Sequence, residues 1–149
     1  MKLSYMKELR CLFLLISCSL NLEFTSTSLF PTIQSPQRIT PPSILNFWFG
    51  GDPVINYKEK WFPRDGSIVQ NHTDQVIRDR FADVLRAAEE NELSSWEGNP
   101  RDLLALIIVL DQFSRHIYRR NRKKIAENDA MALSKAEKML LESWDLEVC

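Results

Sequence analysis

Glycine is scarce in this chain, four among 149 residues, and no stretch alternates apolar with polar residues long enough to build a sheet. A turn-rich β fold needs both, so a helical fold is expected instead. Cysteine is almost missing from the part that could fold: Cys11 and Cys18 lie near the start, and Cys149 is the last residue. Disulfides cannot staple such a domain, and no CxxC or Cys/His spacing suggests zinc. No metal or cofactor is expected, and the core must hold by burial alone. Charge of one sign is also lacking: the formal net charge is −1, so no bulk attraction to nucleic acid or anionic membrane follows. The longest uncharged apolar stretch outside the central helix, Cys11–Leu22, is too short for a confident membrane span. No span is expected in the mature chain.

The chain is long enough for one ordinary domain. Residues 1–40 read as an address rather than structure. Lys2, Lys7 and Arg10 precede Cys11–Leu22, and small residues follow, an order that fits a cleaved leader to the secretory pathway or an organelle. If the start codon is mis-assigned, the protein is cytoplasmic. In a secreted protein Asn71-His72-Thr73 would be a glycosylation sequon on Asn71; elsewhere it means nothing. The folded part is expected at 41–149.

Thr40-Pro41-Pro42-Ser43 opens that part as a helix start, because proline costs nothing where the N–H has no partner. Ile44–Phe49 should form a short aromatic helix stopped by Gly50-Gly51. Val54–Phe62 reads as a second short segment, and Pro63–Gly66 as a turn. Thr73 or Asp74 is expected to cap a helix to about Glu90, with Val76, Ile77, Phe81, Val84, Leu85 and Ala88 as its apolar stripe. Its charged residues, Glu89 among them, read as a solvated face. Asn99-Pro100-Arg101-Asp102 is a strong start for a central helix reaching about Arg119. Leu103–Leu110 leave no polar side, so this helix should be buried all round at first. It then acquires Asp111, Gln112, Arg115, His116 and Arg119. Arg119–Lys124 is expected to be a basic connector, and a last helix to run from about Asn128 to Ser143.

Several stretches together resemble a known family. They are Ile44-Leu-Asn-Phe-Trp-Phe-Gly50, Lys60-Trp61-Phe62, Ile77 with Phe81, Glu92-Leu93 with Trp96, Pro100, and above all Leu104–Phe113 with Arg115, Ile117-Tyr118-Arg119 and Asp129. They are similar to the bacterial-type proteins grouped as domain of unknown function 924 (DUF924). The resemblance covers about residues 42–140. It implies an all-α domain of antiparallel helical hairpins, like the tetratricopeptide superhelices in fold but without their repeat. This chain has Ser114, His116 and Arg120 where the family pattern has Pro, Asn and Gly. The family's domain also continues with further helices, so the chain reads as truncated at its C-terminus, with apolar faces left exposed.

The expected function is a non-enzymatic binding or interaction module with a polar pocket at the end of the central helix. Asp111, Gln112, Arg115, His116, Tyr118 and Asp129 would line it, and a small anionic ligand or a protein would occupy it. Asp111 and Arg115 are one turn apart, where a carboxylate–guanidinium pair forms readily. Such a pair either presents a fork to an anion or simply fixes the helix. Gln112 and His116 make a second one-turn pair, and His116 reads either as an acid–base group or as a surface or capping residue. Asp129 either pairs with Arg115 or Arg119, or interacts with the dipole at a helix start. An enzyme using Asp111, Arg115 and His116 is the alternative. Nucleic-acid binding through 119–124 is a further one, although a solvated loop is the simpler meaning of that run.

Overall fold

The computed structural model describes residues 39–50 and 66–146. The proposed leader and the segment expected at Val54–Phe62 lie outside these residues. Among the described residues the fold is all-α, with no strand.

Helix α1 is Pro41–Phe49. The Ser43 hydroxyl accepts from the Thr40 N–H at 3.0 Å and donates to the Thr40 carbonyl at 2.7 Å, which holds the first turn. Gly50 ends the helix at a position that only glycine fits, since a Cβ there would lie 2.3 Å from the Asn46 carbonyl oxygen. Helix α2 is Ile68–Glu89, six or seven residues longer at its start than a cap at Thr73 or Asp74 would give. Its cap is Ser67, whose hydroxyl accepts from the Gln70 N–H at 3.0 Å, while the Gln70 side chain accepts from the Gly66 N–H at 2.7 Å. This S-x-x-Q start, in which Gln70 reaches one residue past the cap, prevails over the weaker Thr73-Asp74 signal. Thr73 and Asp74 are therefore buried inside the helix rather than capping it. Asn91, with φ of 58°, turns the chain out of α2, and Leu93 and Trp96 fold back against the core.

The central rod has three parts. Helix α3, Pro100–Ile108, starts as expected, with the Asn99 side chain accepting from the Asp102 N–H. A π-helical turn, Val109–Phe113, follows and passes straight into α4, Ser114–Ile117. Every residue from Leu103 to Asp111 is buried. The last long helix, α5, is Arg122–Leu141, capped by Asn121. It too begins six residues before the expected start, so Asn128 is a buried residue in its interior and not a cap.

The rod is the axis of the core. Phe47 and Trp48 of α1 and Phe81 of α2 meet on Phe113, with ring centroids 5.8, 5.7 and 4.7 Å away. Ala132, Ala136 and Met139 of α5 close the other side. The rod and α5 form an antiparallel hairpin, clamped near one end by Arg115 with Asp129 and near the other by Lys135 and Lys138 with Glu97. Helix α2 instead lies across the rod's end. Asp74 and Glu89, about 22 Å apart along α2, both reach the short stretch 116–119.

Candidate functional site

Three carboxylate-centred clusters surround the end of the rod. The first joins the π turn to α5. Arg115 Nη2 donates to Asp111 Oδ1 at 2.9 Å and to Asp129 Oδ1 at 2.7 Å. Asp111 is fixed further by a short hydrogen bond from the Gln112 side chain. Burial works to lower the Arg115 pKa, but the charges and hydrogen bonds of Asp111 and Asp129 outweigh it and hold the group above its usual value. Asp129 thus pairs with Arg115, and it does not sit in a first helical turn.

The second cluster lies between α2 and α4. Asp74 accepts from Arg119 through both oxygens, Nε and Nη2 each at 2.5 Å, and from His116 Nδ1 at 2.7 Å. Because a carboxylate can only accept, His116 carries its proton on Nδ1. Burial pushes the Asp74 carboxyl up, but the hydrogen bonds and charges of Arg119 and His116 carry it below the usual carboxylate range. His116 is 5% exposed and packs edge-on to Trp48, with ring centroids 6.3 Å apart. This corrects two expectations. His116 is neither a surface nor a helix-capping residue, and it bonds to Asp74, 42 positions away, rather than to Gln112. Next to it, Thr73 is fully buried and its hydroxyl has no hydrogen-bond partner among the described residues.

Glu89 centres the third cluster. It accepts from Asn128 Nδ2 at 2.8 Å and Tyr118 Oη at 3.3 Å, with Lys124 Nζ at 3.5 Å. Burial raises the Tyr118 pKa, and the Glu89 carboxylate raises it further. Asn128 Oδ1 is buried without a partner among the described residues.

Five of the six expected site residues fall in the first two clusters and the sixth, Tyr118, in the third. What the sequence pattern missed is the other half of the second and third clusters. Asp74 reads as a cap, Glu89 as part of a solvated face and Asn128 as the start of the last helix, yet all three are interior partners. A helix begun at Ser67 would have placed Asp74 in line with Ile77, Phe81, Val84 and Ala88, and a carboxylate on an apolar stripe demands a partner. The basic run is not one solvated loop either: Arg115, Arg119 and Lys124 are each within 4 Å of a carboxylate, and residues 122–124 are helical. Asn71 is exposed, but it lies inside α2 two residues before the buried Thr73, and His72 beside it is helical. Among the described residues no His, Cys, Asp and Glu side chains are grouped to hold a metal ion, and no helix is long and apolar enough to cross a membrane.

Fold and site together define an all-α domain whose central rod ends in two carboxylate-held arginines, Arg115 and Arg119. Residues 44–149 match the family model of bacterial proteins of unknown function, DUF924, and the chain belongs to that family. No curated protein and no solved structure matches it.

Proposed function

We propose that the folded part, 41–149, is a non-enzymatic binding module that takes a small anionic molecule at the polar end of the rod. The observation that supports this reading is the π turn Val109–Phe113. A π turn is rare and gives poorer hydrogen-bond geometry than the α-helix on either side of it, and such turns recur at functional sites. This one carries Asp111 and Gln112 and sits one turn from Arg115 and His116.

The two carboxylates on Arg115 are not equivalent. Asp111 belongs to the same rod and its side chain is 6% exposed, whereas Asp129 comes from α5 and is 35% exposed. A ligand carboxylate or phosphate that replaced Asp129 would keep Asp111 neutralised and gain a charge-assisted hydrogen bond. Gln112, bonded to Asp111, stands beside the same pair.

The test is thermal unfolding with inorganic phosphate and simple dicarboxylates. A ligand that binds the native state raises the melting temperature. Asp129→Asn, which removes the internal competitor, should enlarge that rise, and Arg115→Gln should abolish it. No response in either the native chain or Asp129→Asn would sink the proposal.

A second reading is an acid–base enzyme. It is favoured by the Asp74–His116 bond, which orients the imidazole through Nδ1 and leaves Nε2 without a hydrogen bond among the described residues. It replaces Asp111 with Asp74 as the carboxylate behind the histidine, and it requires turnover that His116→Gln removes while stability is retained.

A further inference from the structure

The cations around the turn from α4 to α5 divide into two groups. Arg115, Arg119 and Lys124 are neutralised by Asp111 and Asp129, Asp74, and Glu89. Arg120 and Arg122 are exposed, and neither is paired with a carboxylate among the described residues. Arg78 joins them from α2. Its guanidinium donates to the Ile117 carbonyl at 3.2 Å and to Gln75 Oε1 at 3.4 Å, both neutral acceptors, which holds it beside the turn that carries Arg120. Lys123 is 88% exposed and pairs loosely with Glu127, at 4.0 Å. Two of these cations, Arg122 and Lys123, also open α5, whose first turn holds no acid. Positive charge at the positive end of a helix opposes folding, so within the isolated chain this arrangement carries a cost that an external anion would relieve.

We propose that Arg78, Arg120, Arg122 and Lys123 form a docking surface for a short acidic segment of a partner protein. Three of the four are arginines, whose planar forks match carboxylates bidentately. Exposed acids follow members of the patch closely along the chain, Asp79 directly after Arg78 on α2 and Glu127 one turn after Lys123 on α5. Those acids would repel a polyphosphate track continuing past the patch, whereas a segment with a few carboxylates ends within it. Nucleic acid would also lack a stacking platform. Tyr118, the aromatic nearest the patch, has its hydroxyl on Glu89, and Lys124 Nζ stands 5.9 Å from its ring centroid. The surface is distinct from the Arg115 site, so each can fail alone.

The experiment is fluorescence anisotropy with the full chain and a short labelled peptide of alternating Glu and Ser. Binding should weaken as salt rises. Arg120→Ser combined with Arg122→Ser should reduce affinity about tenfold, the scale set by losing two or three exposed charge pairs. Lys123→Glu should reduce it as well. Arg101→Ser, which removes an exposed charge at the far end of the rod, should leave it unchanged. These substitutions are all at exposed positions, and unchanged far-ultraviolet circular dichroism would confirm that the variants fold. No binding at low salt would overturn the proposal, as would an equal loss with Arg101→Ser. Tighter binding of a single-stranded oligonucleotide of matched charge would overturn it in favour of nucleic acid.

Discussion

Arg115 is the residue on which the polar end depends most, because two carboxylates converge on one of its nitrogens. Breaking a buried pair by removing one partner leaves an uncompensated charge, which costs far more than the intact pair contributes. Arg115→Gln strips the countercharge from Asp111, which is 6% exposed, and should destabilise the fold by about 3 kcal/mol. Asp129→Asn removes a partner that is 35% exposed and leaves Arg115 still held by Asp111. It should cost no more than about 1 kcal/mol. Urea unfolding of the two variants checks the asymmetry, and equal losses would contradict it. The residue-level signal for this cluster was plain in the sequence, since Asp111 and Arg115 are one turn apart. For the Asp74 cluster no such signal existed, because His116 and Arg119 lie more than 40 positions from their acceptor.

At the scale of elements, the π turn sets how the two halves of the rod face their neighbours. One extra residue in the turn rotates everything after it by about 100° relative to an uninterrupted α-helix. In this setting His116 and Arg119 point to Asp74 on α2 while Arg115 points to Asp129 on α5. Deleting Gln112 would restore an unbroken α register and locally improve the helix. It should nonetheless destabilise the protein, by roughly 3 kcal/mol or more, because both clusters would lose their partners. Thermal melting of the deletion variant tests this, and a stabilised deletion would show that the π turn has no role in aligning the clusters. Nothing in VLDQF announces a π turn. Its residues are ordinary helix formers, and the irregularity follows from the demands of partners on two other helices.

For the whole molecule, acid is the condition that should undo the polar end. Asp74 and Glu97 both have folded pKa values below their ordinary 3.8 and 4.5, the former through Arg119 and His116 against the cost of burial, the latter through Lys135 and Lys138. A depressed carboxyl pKa contributes stability that is fully present above the unfolded value and is lost as pH falls through the folded one. Stability should therefore hold down to about pH 5 and fall below about pH 4. Asp74→Asn should flatten the part of that fall due to this carboxyl. Equilibrium urea unfolding across acid pH measures it, and an unaltered profile in the variant would contradict the assignment. Leu140, Leu141 and Leu146 also stand exposed at 55%, 86% and 77% around the end of α5.

The sequence by itself determined the helical class, the buried spine Leu103–Leu110, the aromatic helix at 41–49 and the caps at Asn99 and Gly50. These follow from interactions within one or two turns, where periodicity, capping and proline placement act without any distant partner. It also determined that the rod would end in polar residues. Helix starts at Ser67 and Asn121 were written there too, as S-x-x-Q and as an Asn before a basic run, but stronger-looking signals downstream concealed them. Only the tertiary structure decided which acid each cation meets. That choice depends on α2 lying across the rod and α5 running back along it, and on a π turn whose register is set by both. Side chains 14 to 45 positions apart meet there, because burial of the apolar faces brings the elements together and leaves each buried carboxylate to find its cation.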